Sequence, residues 1–313
     1  MITLLLTPLL LPWILPPLAR RTAERVRPDI ALWAITGGAA ALALGVVTCL
    51  GALLLPLALR LPVLAELAHL LHPLQAGPAA LVACLSMLAG GALAVLASAA
   101  ARGATAEVVR LRAARDLVAG IPDAGGLCVL DDDRPDAFAL PGGTRRTSRI
   151  VVTAGMLRAL DPREREALLG HERAHLAGHH HVFLAVAQLA GWCHPALASV
   201  VPVASLAAER AADEAAARAC GDRRLTARAI GRAALASTAC RSGLRVPAVV
   251  ARGTTGPVPA RVKALIAQAP VRRVAPAALA IALLCGAAGT SSLAGAVWLH
   301  RGVEVAQGEH PAE

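Results

Sequence analysis

The chain has 313 residues, 56% of them apolar and only 17% charged, with a mean hydropathy of +0.59. That balance argues against an ordinary soluble domain and for a membrane class. The net charge of +10 sits wholly in residues 102–273, which hold 25 Arg or Lys against 15 Asp or Glu; with two Phe and no Tyr for base stacking, the expected electrostatic partner is an anionic bilayer surface, and direct nucleic-acid binding is not expected.

In chain order, Ile2 to Ala19 is apolar but interrupted by Pro8, Pro12, Pro16 and Pro17. It lacks a basic leading region and runs into Arg20 and Arg21, so it is expected as a retained, proline-distorted span rather than a cleaved signal peptide. Ile30 to Leu59, Ala79 to Ala101 and Val274 to Leu299 each reach the ~20 residues that cross a ~30 Å hydrocarbon core. Arg20, Arg21, Arg25 and Arg27 follow the first stretch, and Arg102, Arg110, Arg112 and Arg115 follow the third; Arg272 and Arg273 precede the fourth. The positive-inside rule then places the first loop and residues 102–273 in the cytoplasm and both termini outside, in the plasma membrane. The expected plan is a membrane region with three spans over 1–101, a cytoplasmic domain over 102–273, a fourth span over 274–299 and a short external tail over 300–313. The seven cysteines form no C-x-x-C pair and no disulfide framework.

Within residues 102–273, Ala104 to Ala119 reads as a helix. Short β-prone runs follow at Leu127 to Leu130, Ala137 to Leu140 and Ile150 to Thr153, divided by the turn-rich Pro141-Gly142-Gly143. Asp131-Asp132-Asp133 reads as a solvated turn. A helix start is marked by Asp161 as N-cap, Pro162 at the first helical position and Glu164 three residues after the cap. With no proline between Arg163 and Pro195, that helix is expected to run on to a turn near Trp192-Cys193-His194-Pro195, forming a hairpin buried in the protein or laid on the membrane. Further helices are expected over 203–220, 222–239 and 258–268.

His171-Glu172-Arg173-Ala174-His175 is an H-E-x-x-H motif inside the capped helix. Residues four apart share a helical face, so both imidazoles can reach one Zn2+ ion, and Glu172 lies where a general base can take a proton from the attacking water. A third ligand has two candidates. His171 to His181 fits H-E-x-x-H-x-x-G-x-x-H, but that pattern needs a methionine turn downstream, and Met1, Met87 and Met156 all lie upstream. Glu209, in Glu209-Arg210-Ala211-Ala212-Asp213-Glu214, is favoured, with Asp213 on the same face able to orient a ligand histidine. His179 and His180 read as helix-end groups that could support the site, and His194 as a turn residue.

Pro135-Asp136-Ala137-Phe138-Ala139-Leu140-Pro141-Gly142, Ile150-Val151-Val152-Thr153, Leu160-Asp161-Pro162, the metal helix and Glu209 to Asp213 together resemble the gluzincin peptidases of membranes. Among these the chain is most similar to the BlaR/MecR-type antirepressor peptidases, family fifty-six of the metallopeptidases. The resemblance implies a mainly α membrane protein with about four spans and a cytoplasmic zincin-type α+β domain. It implies one zinc per chain on His171, His175 and Glu209, with Glu172 catalytic, and a protein or peptide substrate such as a cytoplasmic repressor. In that family a sensor domain follows the last span; the 14 residues after Leu299 are fewer than a sensor needs, so β-lactam sensing is not expected. HtpX-like quality-control peptidases share the site logic and supply the alternative role. A non-catalytic signalling scaffold would not need Glu172, and a transporter would need ionisable groups that the spans lack.

Overall fold

Proline sets the path of the N-terminal segment. The computed structural model describes residues 7–58, 79–142, 147–239, 257–267, 279–283 and 286. Leu11–Ile14 form a 3-10 turn with proline in its first positions, and α1 (Leu15–Arg25) begins again at Pro16 and Pro17, where a missing N–H costs a helix nothing. Leu15 and Ala19 are wholly buried. Over its described part, therefore, the expected first span is helical at residues 7–10, tightens into the 3-10 turn and continues into the start of α1, while residues 1–6 lie outside the described residues.

Helices α2 (Pro28–Ala58) and α3 (Ala79–Leu117) are the two described helices long and apolar enough to cross a membrane. Only 33% and 11% of their most apolar windows are buried, and Leu44, Leu88 and Val95 stand open. A core helix of a soluble protein would bury that surface. The pair packs together through Val46, Leu50 and Ala89, and Ser86 Oγ donates to the Leu53 carbonyl at 2.8 Å. The expected boundary after residue 101 falls inside α3, which continues without a break through Arg102. Its charged half lacks proline, and charges that mark a membrane edge do not interrupt helical hydrogen bonding. The expected fourth span, apart from 279–283 and 286, the loop 60–78 and the tail 300–313 lie outside the described residues.

The sheet forms at the three short β-prone runs expected from the sequence: β1 (Leu127–Leu130), β2 (Ala137–Leu140) and β3 (Arg149–Thr153). The order is β1-β3-β2, with β1 parallel and β2 antiparallel to β3, and Phe138 faces Val151. Val151 and Val152 at the centre are fully buried. Strand β2 is thus an edge strand, and it packs against the metal helix.

The helices that follow among the described residues include α4 (Ala154–Ala159), α5 (Pro162–Ala177), α6 (His180–Cys193), α7 (Pro195–Ala198), α8 (Val201–Cys220), α9 (Arg223–Ala239) and α10 (Val258–Ile266). The alanine-rich α8 is the keystone, because small side chains let helices approach closely. Its Ala204, Ala207 and Ala208 join Leu32, Ile35, Ala39 and Leu42 of α2 and Ala187 and Ala190 of α6 in one core, and further along it Ala216 meets Gly170 of α5.

The expected uninterrupted metal helix is corrected by the structure: α5 stops at Ala177 and α6 starts at His180. His179 takes the left-handed conformation (φ 49°), and a Cβ at Gly178 would lie 2.5 Å from Nε2 of His180. The break turns His180 back towards the metal helix. The turn expected at His194 is present, its side chain accepting from the Ala196 amide. At the far end of α6 the Trp192 ring occupies the space that any side chain on Gly103 would need, locking α6 against α3.

Candidate metal centre

The start of α5 is fixed by reciprocal capping. Asp161 accepts from the Glu164 amide at 2.9 Å, and Glu164 accepts from the Asp161 amide at 3.1 Å. Glu164 is fully buried, and Arg232 Nη1 of α9 reaches it at 2.6 Å while donating through Nη2 to the Ala159 carbonyl. Helix α9 thereby sets the rotation of α5 and aims His171 and His175 at α8.

There they meet Glu209. The three side chains offer ligand atoms that all lie within 4.8 Å of one another. His171 Nε2 and His175 Nε2 are 3.1 Å apart; His171 Nε2 is 3.5 Å from Glu209 Oε2, and His175 Nε2 is 3.5 Å from Glu209 Oε1. Tetrahedral zinc with bonds of about 2.0–2.2 Å sets its ligand atoms about 3.3–3.6 Å apart, close to these separations, with the two imidazoles approaching different oxygens of the one carboxylate. Glu209 is 2% exposed, and its Oε2 makes no well-aligned hydrogen bond. A buried carboxylate whose two oxygens each face one imidazole nitrogen, with the Arg261 guanidinium behind Oε2, gives a donor set that suits a divalent cation. The residues present therefore fit zinc.

Behind the triangle, His171 Nδ1 faces Asp213 Oδ1 at 2.9 Å, which leaves its Nε2 towards the centre. Asp213 in turn accepts from Arg261 Nε at 2.8 Å and Nη2 at 2.6 Å, and Arg261 Nη1 stands 2.8 Å from Glu209 Oε2. Arg261 is 4% exposed. Sequence reasoning missed it, since it lies 48 positions beyond Asp213 on a helix with no motif. The one available signal was physical: two buried acids on α8 demand a buried cation.

Electrostatics sort the titratable groups. Burial opposes charge on His171, yet the Asp213 and Glu209 carboxylates hold its pKa raised, at about 10. Burial, then the charges on His171, His180 and Arg261, push His175 well below the usual imidazole value, so its lone pair is free. The cluster calls for positive charge between these groups, which a proton or a metal ion can supply. Burial raises Glu172 to about 7; His171 opposes the rise, and Glu209 and Asp136 add to it. A carboxylate poised there can both take and return a proton.

His180 supports His175, the role weighed for it from sequence. It is 6% exposed, and the Nδ1 atoms of the two rings are 2.9 Å apart. With His175 Nε2 turned to the metal position, its Nδ1 carries the proton and donates to His180 Nδ1, fixing both tautomers. Burial, with His171 and His181, lowers His180 to about 4, which keeps it a neutral acceptor. His181 is exposed beside His179 and outside the cluster, so of the two candidate third ligands the structure brings Glu209 to the histidines. Asp132 and Asp133 bind Arg134 and Arg158 at the surface, as a solvated turn should.

Residues 100–205, a third of the chain, match the model of peptidase family M48. The match spans the second half of α3, the sheet, the H-E-x-x-H helix and α6, and ends four residues before Glu209. It supports a metallopeptidase, a hydrolase class whose M48 members depend on zinc. The antirepressor family is not the one matched. No curated protein and no solved structure matches the chain.

Proposed function

We propose that this protein is a membrane-anchored zinc endopeptidase with its peptidase domain in the cytoplasm. The observation that carries the reading is the His171–His175–Glu209 cluster, buried at His171 and Glu209 and half-buried at His175, next to Glu172 and near the edge of β2 that no strand covers among the described residues.

His171, His175 and Glu209 would hold the zinc, which when bound polarises the scissile carbonyl and lowers the pKa of the attacking water. Asp213 and Arg261 keep His171 and Glu209 in place, and His180 does so for His175. Glu172 accepts the proton of the attacking water and delivers it to the departing amine, which its raised pKa permits. No strand covers the outer side of β2 among the described residues, so an extended substrate can pair with the Ala137–Leu140 main chain beside the metal helix. A substrate bound in this way is recognised by backbone more than by side chain. The biological role we favour is regulatory or signalling proteolysis, with a cytoplasmic repressor as one substrate of this kind. The match to M48 rather than to the antirepressor family favours, as a second reading, HtpX-like quality control on many substrates.

The test compares wild type and Glu172→Ala, purified in detergent, for zinc content and for cleavage of an unstructured protein such as casein. One zinc per chain in both, with cleavage only in wild type, supports the reading. Cleavage by Glu172→Ala would overturn the assignment of the base.

A further inference from the structure

Helices α8 and α10, which carry Glu209, Asp213 and Arg261, also wall a separate cavity of about 1230 Å³. The turn between α1 and α2 and the start of α9 complete its lining. Six cationic side chains line it against three acidic ones. Part of that charge is consumed locally: Arg27 pairs with Asp29 at 2.8 Å, and Arg223 grips both oxygens of Glu214 at 2.5 and 2.7 Å. Arg210 donates to the Ala23 carbonyl. Arg25, Arg218 and Lys263 remain; they are exposed and make no ion pair among the described residues, and Glu24 is the single acid left with them. Three elements therefore each aim one uncommitted cation at one opening.

The position of that opening selects the ligand. Its wall from Arg25 to Asp29 directly precedes Ile30, where the long apolar run of α2 begins. One turn further on, Trp33 is 69% exposed, as tryptophans at a bilayer interface are. If α2 crosses the membrane, the cavity opens at the depth of lipid headgroups, on the side where basic groups meet anionic lipid.

We infer that this cavity binds the phosphate headgroup of an anionic phospholipid, held by Arg25, Arg218 and Lys263. The inference rests on the membrane-spanning part of the proposed function and not on catalysis. A bound headgroup joins α1, α8 and α10. Because α10 carries Arg261 two residues before Lys263, occupancy also braces the support of the metal ligands.

Full-length protein in a zwitterionic detergent is titrated with phosphatidylglycerol, phosphatidylcholine or free glycerol phosphate, and bound ligand is counted by native mass spectrometry. The expected result is one phosphatidylglycerol held at least about tenfold more tightly than phosphatidylcholine, with binding at least about tenfold weaker in Arg25→Gln/Arg218→Gln/Lys263→Gln. Arg102→Gln/Arg112→Gln/Arg163→Gln, which removes the same charge elsewhere, should bind as wild type does. Equal weakening in that control, equal affinity for the two lipids, or glycerol phosphate bound as tightly as the lipid would overturn the inference. The single variants Arg218→Gln and Lys263→Gln carry the same test if the triple variant does not fold. Zinc is measured on the same samples, so a peptidase reading that fails for want of metal is distinguished from a lipid site that fails.

Discussion

A carboxyl group shut away from water resists ionisation, and Glu172 shows this with its value raised to about 7. As a general base it must be ionised, so activity is lost as pH falls and gained as pH rises through its titration. A bound dication stabilises the ionised form and moves that limb downward. We predict that kcat/KM rises with pH along a limb at or below about 7, and that Glu172→Gln lowers the rate by about 10²–10⁴-fold and abolishes the limb. A limb that survives in Glu172→Gln would assign it to another group. Two supporting residues make separable predictions. Arg261→Ala leaves Asp213 and Glu209 buried without their cation and should cost about 3–5 kcal/mol in unfolding experiments. His180→Ala removes only the acceptor for His175 and should weaken zinc binding about 10–100-fold, read by competition with a chelating dye. Unchanged affinity would reduce His180 to a packing residue.

Among the elements, those governed by local chemistry were legible in the sequence. The cap at Asp161 with Glu164, the three strands and the end of α8 at Cys220, before Gly221, follow from residues within a few positions of each other, whereas α8 starts at Val201 rather than at the expected 203. Asp161→Ala should lower the melting temperature by about a few degrees, and an unchanged transition would mean that Arg232 alone anchors the helix start. What the sequence concealed depends on contacts between distant segments. The break at Gly178-His179 carries no proline, and it is needed because the His180 ring must reach His175 across a space that only glycine leaves open. Arg261 was hidden for the same reason, since its partners lie on another helix. The continuity of α3 was masked by Arg102, a residue that signals a membrane edge without ending a helix.

The molecule as a whole ties its candidate metal centre to its two long apolar helices through a shared core. Leu32, Ile35, Ala39 and Leu42 of α2 pack with α6 and α8, so the ligand-bearing α8 rests directly on one of the two apolar helices. The orientation proposed for that assembly puts the peptidase in the cytoplasm; a reporter enzyme fused after residue 270 should be active there, and one fused after residue 313 should be active outside. Exchanged results would invert the topology. The central claim is the His171–His175–Glu209 site, and metal content of the detergent-purified protein tests it most directly, with wild type compared to Glu209→Ala and His181→Ala. One zinc per chain, lost with Glu209→Ala and kept in His181→Ala, is the result predicted; zinc that is kept in Glu209→Ala and lost with His181→Ala, or absent from wild type, would contradict it.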